Sequence, residues 1–279
     1  MAGHDKDEWR GDSGDRWASH LERLESMISP AGNALMEFAG FKPGEAVADV
    51  GCGGGVTSLE IARRVGPEGR VTGIDVSPQL IARAKARLGD AANAAFELGD
   101  AQSETPGGAP FDRIFSRFGV MFFDDTLAAF ANMRGWLKPG GGLVFGCWAG
   151  PQDNPWMGAI GAIVRDYADV PPPDLSAPGP FRLHDPEATT AMLAGAGFAN
   201  PRAEMWRGEQ LVGGEGADPE AATEFVFTAM GMGAPVEEQA PDKMDAARAR
   251  IAETMAPHYR DGSVRMDAAC WFVTADNPG

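Results

Sequence analysis

Cysteine is scarce in this chain: Cys52, Cys147 and Cys270 are the only three in 279 residues. An odd, widely scattered set predicts no disulfide framework and fits no zinc spacing, so no metal site is expected and the thiols read as structural groups in a reducing compartment. Basic residues number 24 against 40 acidic ones, a formal net charge of −16. A surface that acidic repels phosphate backbones and anionic membranes, which argues against nucleic acid as a partner. Long apolar runs are missing. None approaches the roughly 18 residues of a membrane-spanning helix, and the opening MAGHDKDEWRGDSGDRW lacks the apolar centre of a signal peptide. A cytoplasmic location without membrane insertion is the expectation. Histidine and tyrosine are also rare, with four and two residues.

What is present suits a globular α/β protein. Apolar residues make up 44% of the chain, enough for a core without disulfide or metal staples. Residues 1–15 are polar and expected to be mobile until Trp9 or Trp17 docks. Apolar positions from Leu21 to Phe38 fit helices interrupted at Ser29-Pro30. Short apolar runs at 46–50, 70–75, 95–98, 111–115 and 143–148 then alternate with helical segments at 57–65, 78–88 and 126–137. Such alternation predicts a parallel sheet covered by helices on both faces. The rhythm changes after Trp148: a helix at 155–167, the link Pro171-Pro172-Pro173, a helix at 185–196, and strands at 202–212 and 263–274 flanking helical patterns. The expected division is a helical lid (1–44), a ligand-binding core (45–150), a substrate-side insertion (151–185), and a C-terminal part of the fold (186–279) carrying a helical insertion at 218–258.

The strongest motif is Asp49-Val50-Gly51-Cys52-Gly53-Gly54-Gly55, between an apolar strand and a helix. Glycines let the chain turn sharply and let a ligand approach the backbone, and the helix N-terminus then offers unpaired N–H groups. The spacing is G-x-G-x-G. A nicotinamide-binding G-x-G-x-x-G would need glycine where Val56 stands, and no Gly-Lys-Ser/Thr follows to make a phosphate loop. Asp75 ends the second strand, 20 residues beyond Gly55. Its carboxylate can accept both hydroxyls of a ribose or cap the helix opening at Ser77-Pro78. Asp100, in Gly99-Asp100-Ala101, can accept from an exocyclic amine or serve as a turn residue.

Taken in order, VADVGCGGG, TGID, GDA, FDRIFSRFGVMFF and LKPGGGLVF resemble the motifs of class I S-adenosylmethionine-dependent methyltransferases, nearest to the small-molecule, ubiquinone/menaquinone-biosynthesis-like group. The resemblance runs through residues 45–148 and more weakly over the last two strands. It implies a Rossmann-like three-layer sandwich: a seven-stranded, mostly parallel sheet whose last strand is antiparallel, with a helical cap. It implies S-adenosyl-L-methionine as cofactor and S-adenosyl-L-homocysteine as product. Asp49, Gly51, Cys52, Gly53 and Gly55 would surround the methionine part. Asp75 would hold the ribose with Val76 packed on adenine, Asp100 and the Ala101 N–H would take the base, and Ser116 and Arg117 would lie by the methionyl end. Where many relatives carry polar residues or histidine after the fourth strand, this chain has Phe118-Gly119-Val120-Met121-Phe122-Phe123.

A sulfonium methyl is already electrophilic, so orientation and desolvation can carry much of the acceleration, and a base is needed only for a nucleophile that arrives protonated with a high pKa. The candidates for one are His184, which Asp185 could orient, and His20 on the first helical stretch. The competing readings are a surface position for His20 and, beside His184, an Asp185 that caps the helix beginning at Pro186. His258 ends a helix and His4 lies in the polar tail. Trp17, Phe118, Phe122, Trp148 and Trp156 fall in segments expected near the C-terminal edge of the sheet, where open α/β sheets bind ligands. They point to an apolar or aromatic small-molecule acceptor, with core packing as the competing role. A catalytically silent protein binding the cofactor as a regulatory ligand, an NAD-dependent oxidoreductase and a homodimer are carried as alternatives.

Overall fold

The computed structural model describes residues 6–279. Helices Lys6–Arg10 (α1), Asp12–Ser19 (α2), Leu21–Met27 (α3) and Ser29–Ala39 (α4) come first. Residues 6–15, expected to be mobile, are thus helical apart from Gly11. The cause is tertiary: the Trp9 ring packs edge-on against Trp17 and Phe122, with centroids 5.4 and 5.0 Å apart.

Strand and helix then alternate through Ala46–Val50 (β1), Val56–Val65 (α5), Arg70–Asp75 (β2), Pro78–Arg87 (α6), Ala94–Leu98 (β3), Phe111–Arg117 (β4), Thr126–Arg134 (α7) and Leu137–Trp148 (β5). The chain continues with Pro155–Tyr167 (α8), Pro186–Gly195 (α9), Ala199–Val212 (β6), Pro219–Thr228 (α10), Ala234–Gln239 (α11), Met244–Met255 (α12), Tyr259–Arg260 (β7) and Ser263–Asp276 (β8). Helix starts follow local chemistry. Asp185 and Asp218 cap α9 and α10 through their carboxylates, and proline occupies the first turn of each.

The sheet has the order β3-β2-β1-β4-β5-β8-β6. Strands β1 to β5 pair in parallel, and β8 runs antiparallel to both β5 and β6. These seven strands carry the expected antiparallel last strand. An eighth, β7, pairs only with β8. It arises from a hairpin turn at Asp261-Gly262, where both residues have positive φ (50° and 77°). This Asp-Gly pair is a hairpin signal in the sequence. Strand β1 is buried along its whole length, as burial between two helical layers demands. Among the described residues, no helix is long and apolar enough to cross a membrane.

Strand order reverses between β1 and β4, so a crevice opens beyond the C-terminal ends of β1, β2 and β4. Val50, Asp75 and Arg117 stand at those ends.

Candidate functional site

The turn after β1 is shaped by backbone hydrogen bonds. The N–H groups of Gly51 and Cys52 both donate to the Ile74 carbonyl, at 2.9 and 3.2 Å. Gly51 has φ +68°, and a Cβ there would lie 2.7 Å from the Gly119 Cα. Glycine is therefore required at this position by both torsion and space. Gly53 also has positive φ (+54°), but a Cβ there would meet nothing within 4 Å. Its open side faces a cavity of about 240 Å³, to which Gly51, Cys52, Gly53 and Gly54 all contribute.

Asp49 lies beneath this turn, fully buried. Its Oδ2 accepts from the hydroxyls of Thr57 (2.7 Å) and Ser58 (2.6 Å), and its Oδ1 has no partner among the described residues. Burial pushes its pKa up to about 6, against the pull of the two hydroxyls and the Arg117 charge. Gly55 begins α5 behind the cavity wall, where a Cβ would strike the Phe96 ring.

Asp75 lines the cavity. Its Oδ2 accepts the Gly53 N–H at 2.8 Å and its Oδ1 the Ser77 N–H at 2.9 Å. The side-chain cap of α6 is Ser77, whose hydroxyl accepts from the Leu80 N–H. Each Asp75 oxygen keeps a lone pair for a further donor. Burial raises the Asp75 pKa, opposed by the backbone N–H groups of Ser77, Gly53 and Val76. Val76, Asp100 and Ala101 line the same end. One Asp100 oxygen accepts the Gln102 N–H at 2.9 Å, and the other is 3.6 Å from Lys6 Nζ.

Arg117 also faces the cavity, and among the described residues its guanidinium makes no hydrogen bond or ion pair. Desolvation lowers its pKa, and the nearby charges of Glu25 and Asp49 oppose that shift. Glu25 itself accepts from Arg87 Nη1 at 2.6 Å, and the same nitrogen donates to the Gly54 carbonyl at 3.1 Å. This bridge ties α3 and α6 across the glycine turn.

The other end of the cavity is apolar. Phe118 adopts φ +63°, a strained conformation for a residue with a Cβ; such geometry costs about 1–3 kcal/mol and persists only where surroundings enforce it. Here the Phe118 N–H donates to the Gly146 carbonyl at 3.0 Å, and its ring stacks on Trp148 with centroids 4.6 Å apart and planes 11° apart. Trp148 meets Trp156 edge-on at 6.3 Å. Trp17, Phe122, Met157 and Met230 complete this end.

Several expected residues lie elsewhere. Ser116 is fully buried, donating to the Val50 carbonyl and accepting from the Gly119 N–H, and does not line the cavity. His184 is likewise absent from the lining: its Nδ1 lies 2.8 Å from the Phe181 carbonyl, in the turn that leads to the Asp185 cap. His20 sits at the α2–α3 junction against the Phe225 ring. His258 ends a short turn before β7, and His4 is outside the described residues. Leu21, Leu24 and Ile28 from the helical stretch, together with Arg16 and Gln102, line the cavity without having been singled out. The i, i+3, i+7 spacing of those three apolar residues marks a buried face but does not say what that face covers.

The sheet order, with its reversal point beside the glycine turn, is the Rossmann-like arrangement that the motifs imply. Residues 47–141 match the family model described as a methyltransferase domain. The chain is similar to aklanonic acid methyltransferase DauC from Streptomyces sp. (strain C5), at 31% identity over 134 residues, 47% of this chain and 61% of that protein. It is also similar to phosphoethanolamine N-methyltransferase 1 from Zea mays, at 32% identity over 171 residues, 61% of this chain and 31% of that one. The chain therefore spans less than two thirds of the length of either relative. Demethylmenaquinone methyltransferase from Staphylococcus aureus (strain JH9) matches at 34% over 110 residues, 39% of this chain and 46% of that protein. The quinone group expected from the motifs is thus one similarity among several. The fold is shared with the YcgJ protein of Bacillus subtilis (TM-score 0.58, 15% identity, covering 88% of this chain and 97% of that one). It is also shared with Haemonchus contortus phosphoethanolamine N-methyltransferase 2 in complex with S-adenosyl-L-methionine (TM-score 0.56, 16% identity, 100% and 61%).

Proposed function

We propose that this protein transfers the methyl group of S-adenosyl-L-methionine to a small apolar or aromatic molecule. The observation that carries the reading is a single cavity with two chemically different ends. One offers carboxylates and open backbone, and the other offers stacked aromatics. The residues present fit the cofactor. Asp75 retains lone pairs for ribose hydroxyls, Gly53 leaves room for close approach, and Arg117 is a sheltered cation without a partner among the described residues, suited to an amino-acid carboxylate. Val76 and Asp100 would hold the base, and the α1–α4 segment, tied by the Glu25–Arg87 bridge, would cover it.

The bound sulfonium supplies an electrophilic methyl carbon. The protein's part is to orient and to dry. Phe118, held in its strained conformation against Trp148, gives the acceptor end a fixed wall. The Trp9–Trp17–Phe122 cluster excludes water from the opposite side. Correct orientation in a water-excluded site can supply about 7–11 kcal/mol of barrier reduction without a base.

Calorimetric titration with S-adenosyl-L-methionine and with NADH tests the cofactor. Release of S-adenosyl-L-homocysteine across phenols, amines, thiols, carboxylic acids and quinol precursors tests the reaction. Binding of NADH with no response to S-adenosyl-L-methionine overturns the reading. Binding of S-adenosyl-L-methionine without turnover of any acceptor would favour a regulatory ligand instead.

A further inference from the structure

Helix α4 carries a buried glycine, Gly32, where alanine would be the better helix former. The reason lies across the packing face. A Cβ on Gly32 would stand 2.8 Å from the Arg117 Cδ and 3.2 Å from its Nη1. The bare face of α4 is therefore the berth of the Arg117 side chain. From that berth Arg117 lines the cavity, and it has no hydrogen bond or ion pair among the described residues. Its nitrogens are not sealed in by protein, as the unpartnered Nε atoms of Arg113, Arg134 and Arg265 are. A group in the cavity can reach them. The nearby carboxylates are engaged elsewhere, Glu25 with Arg87 and the Asp49 Oδ2 with the hydroxyls of Thr57 and Ser58.

We infer that Gly32 is a positioning residue for the cofactor: it leaves the space from which Arg117 grips the amino-acid carboxylate of S-adenosyl-L-methionine and so separates that cofactor from analogues lacking the carboxylate. This rests on the methyl-transfer reading above and deepens it, since Gly32 itself stands outside the cavity lining. Strand β4 runs parallel to β1 with Phe115 opposite Asp49. The same register carried two residues further brings Arg117 level with Gly51, on the turn that serves the methionine tail in that reading. A planar guanidinium takes a carboxylate through two parallel hydrogen bonds. A sheltered cation without a bonded counter-ion is costly, and a ligand carboxylate offsets that cost. With a methyl group at position 32 the Arg117 stem must swing aside. The guanidinium then loses its alignment, while the helix itself gains propensity.

The test is calorimetry on the full chain with S-adenosyl-L-homocysteine and with S-adenosyl-3-thiopropylamine, the same molecule without its carboxylate. The unaltered chain should bind S-adenosyl-L-homocysteine at least about tenfold tighter than the amine. Arg117→Met should abolish that preference. Gly32→Ala should cut it about fivefold or more, leave the affinity for the amine within about twofold, and keep or raise the melting temperature. Added to Arg117→Met, Gly32→Ala should change neither affinity. No preference in the unaltered chain, or one that survives Arg117→Met, overturns the inference. So does a preference untouched by Gly32→Ala, an equal loss for both ligands, or a further loss in the double variant. Were Gly32→Ala alone unable to fold, Arg117→Met should restore folding, and a double variant that stays unfolded overturns the inference too. Failure of S-adenosyl-L-homocysteine to bind the unaltered chain would defeat the underlying methyl-transfer reading instead, so the two failures separate.

Discussion

The two ends of the cavity are built differently. The carboxylate end comes from strand termini and the turns directly after them, at residues 50–54, 75–76 and 99–102, and its polar groups are fixed by backbone hydrogen bonds. The aromatic end is assembled from α2, the turn after β4, the end of β5, the start of α8 and the loop after α10. Its residues are held by ring packing and include the flexible side chains of Met157 and Met230. One end is a rigid product of sheet topology. The other is a meeting of distant segments that can vary independently. Substitutions at the first should therefore act on the cofactor, and substitutions at the second on the acceptor.

The largest expected effect tests the rigid end. Asp75→Ala removes an acceptor for two ribose hydroxyls, each charge-assisted bond being worth about 1.5–3 kcal/mol. Affinity for S-adenosyl-L-methionine should fall about 100-fold or more by calorimetry. The Gly53 and Ser77 N–H groups also lose their acceptor, so the melting temperature should drop as well. Undiminished affinity would detach Asp75 from the sugar.

A second test addresses the price of burying Asp49 under the same turn. Its pKa in the folded protein, about 6, exceeds the ordinary 3.8. The folded state then holds a proton that the unfolded chain has released, so stability declines as pH rises from about 4 to about 6 and stays low above that. The decline is about 3 kcal/mol at about 1.4 kcal/mol per unit. Asp75, also raised, adds in the same direction. Asp49→Asn should flatten this slope in urea unfolding between pH 4 and 7. An unchanged slope would mean that the burial of Asp49 is not what sets it.

The contrast between the ends also explains what the sequence reveals. Asp49 to Gly55 and Asp75 are legible because a strand that ends in a glycine turn, with an acid closing the next strand, is a local pattern with a fixed geometric outcome. The antiparallel last strand follows from the same resemblance. The part that Leu21, Leu24 and Ile28 play in walling the cavity is not legible, because an apolar helical face does not say what it covers. The α1–α2 segment looks polar and unstructured because Trp9 docks not only on Trp17 but also on Phe122, more than a hundred positions away in the chain. Asp261-Gly262 was legible in principle, since the dipeptide alone specifies the tight hairpin that creates β7.

At the adaptable end, Trp17→Ala should raise the KM for an aromatic acceptor about tenfold, the equivalent of about 1.4 kcal/mol of lost contact. The dissociation constant of S-adenosyl-L-methionine should stay within about twofold, a margin of about 0.4 kcal/mol. A loss of cofactor affinity equal to the loss of acceptor affinity would show that the ends are not separable. It would then place Trp17 in a cover over both.

The smallest expected effect concerns the histidines. His184 and His20 are the residues that composition singles out as bases, yet neither lines the cavity. His184 is turned to the Phe181 carbonyl, while its own carbonyl accepts from the Trp271 indole at 2.9 Å. His20 is committed to the Phe225 ring. A general base must reach the proton that it removes directly or through one water. His184→Gln and His20→Gln should therefore leave kcat within about twofold and the pH–rate profile unmoved, where loss of a general base would cost about 100-fold or more. A large loss of kcat in either variant, with cofactor affinity and melting temperature intact, would require that histidine to swing into the cavity during turnover, and the aromatic end would then be a moving part of the catalytic apparatus.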